Sequence, residues 1–272
     1  MPAPLRSIEL DHVAVAVERQ SDAWPRYAGD LGARWRSQLD TLGFASAQLT
    51  FGRGIKLEVL EPDRVEEDDF LRRFLDRHGP GAHHLTYKVP DITVALTAAE
   101  AAGYHPVGVD LSDPEWKEAF LPPSEALGIV IQLAESTGTY DPGVVPAGFP
   151  APRRARPAAL EWVVHAVAGL DEGLRLFAGL LGGEEQARQE DEGGRSVDLA
   201  WPGAGRLRLI EPTSAAGPVA GWLAGRSGQL HHLAFAVDDP AAVPDARPLE
   251  GGAFEVPPEA NHGVRLVLRA PD

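Results

Sequence analysis

Leu10-Asp-His-Val-Ala-Val-Ala-Val17 returns 150 positions later as Leu160-Glu-Trp-Val-Val-His-Ala-Val167. The same offset carries Tyr27-Ala-Gly-Asp-Leu-Gly32 onto Phe177-Ala-Gly-Leu-Leu-Gly182, and Leu57-Glu-Val-Leu-Glu-Pro62 onto Leu207-Arg-Leu-Ile-Glu-Pro212. His83-His-Leu85 returns as His231-His-Leu233 at 148, and Gly128-Ile-Val-Ile-Gln-Leu133 as Gly263-Val-Arg-Leu-Val-Leu268 at 135. Spacing that holds and then shortens late is the mark of a tandem duplication followed by a deletion.

Each copy is itself bipartite. Asp11-His-Val-Ala-Val-Ala-Val17 and His83-His-Leu-Thr-Tyr-Lys-Val89 share one alternation, that of a half-buried strand. After the first, Ser21 and Asp22 are cap candidates for a helix carrying Trp24, Tyr27 and Leu31 and ending at Gly32. After the second, Asp91 is placed to cap a helix with Ile92, Leu96 and Ala99, stopped by Gly103. Strand-like stretches follow at 34–39, 44–51 and 55–61, and again at 105–109, 117–121 and 128–134. The unit is β-α-β-β-β, used four times in an α+β chain. A short amphipathic helix with Phe70, Phe74 and Leu75 bridges the halves of copy one, and Glu66-Glu-Asp-Asp69 reads as acidic charge favoured by its dipole. Past Asp239 the Pro- and Ala-rich stretch predicts decay of the matching helix in copy two.

The chain of 272 residues has room for two domains at about 100–200 residues each. The predicted division is 1–136, a connector at 137–157, and 158–272. Ser136 to Pro157 holds five prolines and three glycines without an apolar period and reads as extended. Arg153, Arg154 and Arg156 within it are expected to meet solvent or docking partners. A net charge of −15 argues against nucleic acid and anionic membranes as partners. With no cysteine, disulfides, thiolate nucleophiles and Cys-based metal sites are excluded. No signal-peptide core follows Met1 and no apolar run nears about 18 residues, so a cytoplasmic location is expected. Neither a phosphate-binding glycine loop nor a dinucleotide fingerprint is present.

Alternation separates the two faces of each strand. Val13, Val15 and Val17 face a helix, leaving His12, Ala14 and Ala16 opposite. Leu85, Tyr87 and Val89 leave His84, Thr86 and Lys88; His83 falls on the helix side. Leu57 and Val59 leave Lys56, Glu58 and Leu60. Ile129, Ile131 and Leu133 leave Val130, Gln132 and Ala134. Four open faces thus each present one ligand-capable side chain: His12, Glu58, His84 and Gln132. Two imidazoles, a carboxylate and an amide oxygen suit one divalent ion such as Zn, Ni, Co, Fe or Mn, with positions left for substrate. Lys56 and Lys88 share these faces and are candidates for binding an anionic substrate group.

Leu10-Asp-His-Val with Tyr27…Leu31-Gly32, Leu57-Glu-Val-Leu-Glu-Pro62, Gly79-Pro-Gly-Ala-His-His-Leu85 and Gly128…Gln132-Leu-Ala-Glu135 together resemble the vicinal oxygen chelate superfamily. That group takes in glyoxalase I, methylmalonyl-CoA epimerase, extradiol dioxygenases and bleomycin-resistance proteins. The N-terminal half is most similar to methylmalonyl-CoA epimerase. The resemblance covers about 8–135 well and 158–270 loosely. It implies paired βαβββ modules forming half-open barrels, and its metal positions fall on His12, Glu58, His84 and Gln132. Here the carboxylate stands on the fourth strand and the amide on the last, the reverse of the epimerase pattern. Glu58 is therefore the candidate base.

The activity so implied is that of an isomerase or lyase of the glyoxalase or epimerase type. Its metal chelates a small carbonyl compound and steadies an enolate. Two alternatives follow from the same resemblance: an Fe(II) extradiol-type dioxygenase acting on an aromatic substrate, and a non-enzymatic binder of an antibiotic or metabolite. In copy two Trp162 replaces His12, Arg208 replaces Glu58 and Val267 replaces Gln132, while His232 persists. That set holds no divalent ion. It predicts either a structural companion or a pocket for an organic anion built from Trp162 and Arg208. Duplication implies domains paired within a monomer, with a homodimer as the alternative.

Overall fold

The computed structural model describes residues 5, 7–136, 138, 142–191 and 194–271. The first half runs β1 (Glu9–Ala16), α1 (Gln20–Trp24), β2 (Arg34–Asp40), β3 (Gly43–Thr50), β4 (Lys56–Asp63) and α2 (Phe70–His78). It continues with β5 (Gly81–Lys88), α3 (Ile92–Ala101), β6 (Val107–Asp110), β7 (Trp116–Leu121) and β8 (Val130–Ser136). The second half runs β9 (Ala159–Val167), α4 (Leu170–Leu174), β10 (Glu184–Asp191), β11 (Gly194–Ala200), β12 (Arg206–Glu211) and α5 (Pro218–Leu223). Then come β13 (Gly228–Ala236), β14 (Arg247–Pro248), β15 (Phe254–Val256) and β16 (Leu266–Arg269).

Two eight-stranded sheets result, in the same order: β2-β3-β4-β1-β5-β8-β7-β6 and β10-β11-β12-β9-β13-β16-β15-β14. Each is the β-α-β-β-β unit written twice, so the α+β class and four modules stand. The residues expected to face a helix are buried, and so are Ala14, Ala16, Leu60 and Thr86 opposite them. Val13, Val15, Leu57, Val59, Leu85, Tyr87, Ile131 and Leu133 are all buried, each worth about 1.5–3 kcal/mol of transfer free energy. Strand ends shift by a residue or two. Thus β8 starts at Val130, not 128, because Leu127 and Gly128 turn through positive φ (56° and 80°).

The start of α1 corrects the sequence reading. Neither Ser21 nor Asp22 caps it; Arg19 is extended without a side-chain cap. The Gln20 N–H instead donates to Glu61 Oε2 at 2.5 Å, a partner 41 residues away. Beyond Trp24 the helix widens over Pro25–Asp30, with the Leu31 N–H reaching Arg26 O at 3.0 Å. Copy two repeats this over Arg175–Leu180, where the Leu181 N–H reaches Leu176 O at 3.0 Å. Arg175 stands where Pro25 does, so the proline is not what widens the turn. By contrast, Asp91 caps α3 as expected, accepting from the Thr93 and Val94 N–H groups at 2.8 and 3.1 Å. Its counterpart in copy two has shrunk to a single tight turn, Pro240–Ala242.

α2 packs Leu71 and Leu75 against Ala14, Ala16 and Leu60, with Phe44, Phe70 and Phe74 at the margin. The face that carries His12 and Glu58 is therefore apolar and covered beyond them. Asp68 Oδ1 accepts from the Phe70 N–H at 3.1 Å, so part of the acidic run serves the start of α2. The His83 ring packs 4.8 Å from Phe74 of α2.

The chain forms two compact units, one of 1–12, 84–139 and 162–231, the other of 13–83, 140–161 and 232–272. In the first, His165 is fully buried and its Nε2 donates to Leu127 O at 2.9 Å. Burial pulls its imidazole pKa down to about 4. A Cβ on Gly128 would lie 2.0 Å from Gly228 O. In the second unit the described part of the connector is docked. Phe149 packs edge-on against Trp24 and Trp35, at 5.7 and 5.4 Å. Arg153 Nη1 pairs with the buried Asp30 at 2.7 Å, Arg154 Nε donates to Asp30 O, and Arg156 is exposed. The connector has no helix or strand over 142–157 and is tied down by these contacts, with Thr137 and 139–141 outside the described residues.

Candidate metal centre

Three neighbouring strands, β4-β1-β5, each bring one side chain to the same place. His12, Glu58 and His84 are 1%, 9% and 5% exposed, and one donor atom from each lies within 4.8 Å of the others. The two rings meet edge-on at 5.7 Å. A carboxylate buried between imidazoles is costly without a compensating cation, and two nitrogens with one oxygen are a donor set for borderline divalent ions. Tetrahedral bonds of about 2.1 Å would set donors about 3.4 Å apart, which modest side-chain rotation reaches from the present spacing. The residues fit the group.

The partners of these side chains are equally specific. His12 Nδ1 lies 2.7 Å from Asp11 Oδ2. A carboxylate there takes the Nδ1–H, the usual outer support of a ligating histidine. His12 Nε2 lies 2.8 Å from Thr86 Oγ1, and that hydroxyl donates to Gln132 Oε1 at 2.5 Å. Gln132 is therefore no further from His12 than those two bonds together. Its amide donates in turn to Glu118 Oε2 at 2.7 Å, which also accepts from Trp116 Nε1 at 2.7 Å. All four residues named from the sequence face the same side of one sheet: His12, Glu58 and His84 form the cluster, and Gln132 joins it through Thr86.

The lysines stand further off. Lys88 lies on the same face of β5, about 13 Å along the strand from His84. Its Nζ donates to Ser136 Oγ at 2.8 Å and sits 3.6 Å from the Trp116 ring centre. Lys56 is half-buried, one side-chain repeat before Glu58 on β4.

Sequence reasoning passed over Asp11, Gln48 and Glu118. Gln48 lies directly opposite Glu58 across β3 and β4. It is buried, and its Oε1 has no hydrogen-bond partner among the described residues. An unmet buried carbonyl costs about 1–3 kcal/mol, and at a site it marks where a donor of a bound molecule would sit. Alternation alone puts Glu118 on one face of β7. Only the β7–β8 register, Glu118 with Ala134 and Phe120 with Gln132, brings it beside Gln132.

Copy two carries a different set at the same positions. Asp198 stands opposite Arg208 as Gln48 does opposite Glu58. Arg208 holds Asp198 with two bonds, 2.5 and 2.7 Å, and stacks 4.9 Å from the Trp162 ring. Its charge is thus paired in place beside the Trp162 ring. Val267 is buried and apolar. Two surface clefts, of about 310 and 470 Å³, are lined by none of the four candidate ligands. Among the described residues no helix is long and apolar enough to cross a membrane.

Residues 11–120 match the family model of the glyoxalase/bleomycin resistance protein/dioxygenase superfamily. A curated relative, the uncharacterized protein YqjC of Bacillus subtilis, is 28% identical over 135 residues, 47% of this chain and 93% of that protein. Among solved structures, a substituted 4-hydroxymandelate synthase from Streptomyces coelicolor superposes with a TM-score of 0.61 at 18% identity. The match covers 88% of this chain and 72% of that one, a likeness of fold across both copies. Methylmalonyl-CoA epimerase from Mycobacterium tuberculosis is 24% identical, with a TM-score of 0.44, over 50% of this chain and 92% of its own.

Proposed function

We propose that this chain, whose residues 11–120 match the model of the glyoxalase/bleomycin resistance protein/dioxygenase superfamily, is a metal-dependent isomerase or lyase acting on a small carbonyl compound. The observation that carries the reading is the buried His12, Glu58 and His84 group within 4.8 Å. Residues 1–136 are taken as the metal-binding domain, 137–157 as the connector and 158–272 as a companion without ligands.

His12, Glu58, His84 and Gln132 would hold the ion. Once bound, it supplies Lewis-acid stabilisation of negative charge developing on two neighbouring substrate oxygens. The chain's own residues do the rest. Asp11 keeps His12 in the ligating tautomer. Glu58 accepts the proton adjacent to the carbonyl at a carboxylate oxygen and returns it to the substrate. α2 and the apolar residues beneath it exclude water on the β1–β4 side. Lys56, close to Glu58, and Lys88, at the far end of β5, receive anionic groups of the substrate.

The test has two parts. Purified wild-type protein is expected to carry one divalent ion per chain, and His12→Ala and His84→Ala to lose it while staying folded. In deuterated water the metal-loaded protein is expected to exchange the proton next to the carbonyl in a panel of 2-oxo compounds and acyl thioesters, and Glu58→Gln to abolish the exchange. Metal retained in both histidine variants would overturn the assignment.

A second reading draws on the same triad. Two histidines and one carboxylate with open positions are also the donor set of non-haem Fe(II) oxygenases. Oxygen uptake with catechols under Fe(II), without proton exchange, would favour it.

A further inference from the structure

Gln132 is the weakest donor of the proposed set, and what turns its oxygen inward is visible in its hydrogen bonds. The two ends of a primary amide are nearly isosteric, one donating and one accepting, so only the partners decide which way it faces. Glu118 Oε2 lies 2.7 Å from Gln132 Nε2, and a carboxylate accepts without donating. The amide nitrogen must face Glu118, leaving Oε1 on the side of Thr86 and His12, where the Thr86 hydroxyl meets it at 2.5 Å. Glu118 is itself held by the indole N–H of Trp116 at 2.7 Å, and the Trp116 ring carries Lys88 over its face at 3.6 Å.

We propose that Glu118 is a positioning residue that locks the amide of Gln132 with its oxygen toward the metal centre, so that Gln132 serves as an oxygen donor. The inference rests on the metal reading above and goes beyond it. It explains how a neutral amide serves at a position where a carboxylate would need no orienting. With a glutamine at 118 either amide orientation would find a partner there, and the oxygen would face inward only part of the time. With the two residues exchanged, a carboxylate at 132 is inward-facing by either oxygen and the amide at 118 donates to it.

The experiment is Co(II) titration of metal-free protein, read by visible absorption and calorimetry, beside thermal melting of the metal-free forms. Glu118→Gln is expected to weaken Co(II) binding about 10–100-fold, to shift the Co(II) spectrum, and to leave the metal-free melting temperature unchanged. The exchange variant, Glu118→Gln with Gln132→Glu, is expected to recover the affinity. Trp116→Phe, which leaves Glu118 in place but less constrained, should weaken binding in the same direction by less, and substitutes as the test if Glu118→Gln folds poorly. Wild-type and unchanged Glu118→Gln affinities that coincide would sink the inference alone. So would a loss accompanied by lower metal-free stability and no recovery on exchange, which would mark Glu118 as merely structural. Wild-type protein that takes up no Co(II) would instead sink the metal reading itself.

Discussion

His165 offers a prediction that can be worked to a number. It is fully buried on β9, its Nε2 bonded to Leu127 O and its ring 5.8 Å from Phe177. Burial lowers its pKa from 6.5 to about 4. The unfolded chain therefore binds a proton there from about pH 6.5 downward, while the folded chain does not until about pH 4. Between those values the unfolded state holds more protons, so stability must fall as pH falls. The full loss is about 3 kcal/mol, at 1.36 kcal/mol per pKa unit, and about 2 kcal/mol of it is expected by pH 5. His165→Gln keeps a donor near the Leu127 carbonyl and removes the titration. Urea unfolding of both proteins from pH 7.5 to 4.5 cancels every other titrating group in the difference. The wild type should lose its stability relative to the variant by about that amount over the range. Equal slopes, or an NMR titration showing His165 protonating near pH 6.5 in the folded protein, would refute the reasoning.

Other consequences are as direct. Loading with Zn(II) or Co(II) at about a hundred times its Kd should add about 2.7 kcal/mol to the unfolding free energy; a chelator should reverse this, and His84→Ala should show neither effect. Gly128→Ala combines a positive φ of 80° with a Cβ 2.0 Å from Gly228 O, and is expected to cost at least about 3 kcal/mol or prevent folding. A normal melting temperature would contradict it. Arg208→Leu leaves Asp198 inside the sheet without its counter-charge and should cost about 2 kcal/mol. Adding Asp198→Leu should recover most of this, and a double variant as unstable as the single would show that packing, not charge, is what Arg208 supplies there.

The residues most legible in the sequence were those whose role depends on local alternation. His12, Glu58, His84 and Gln132 could each be put on one face of its own strand, though not that α2 covers this face beyond His12 and Glu58, and the repeat gave the order of the elements. What escaped depends on partners distant in sequence. The Glu61 carboxylate at the start of α1 is 41 residues away, so a nearby Ser or Asp looked the better cap. Glu118 and Gln48 acquire meaning only through cross-strand register, which pattern does not reveal. In the connector, proline and glycine dominate the pattern and do not reveal that Phe149 and Arg153 tie it to Trp24, Trp35 and Asp30 through aromatic and ionic contacts.

The pairing of Arg208 with Asp198 carries a consequence for how the two sheets depend on their surroundings. A guanidinium is a cation written into the gene, which no chelator strips and no ordinary pH discharges. The second sheet thus keeps the charge of Asp198 balanced whatever the supply of ions in the medium. On the metal reading proposed above, the first leaves that balance to something imported, so scarcity of the ion would be felt by one half of the chain and pass unnoticed in the other.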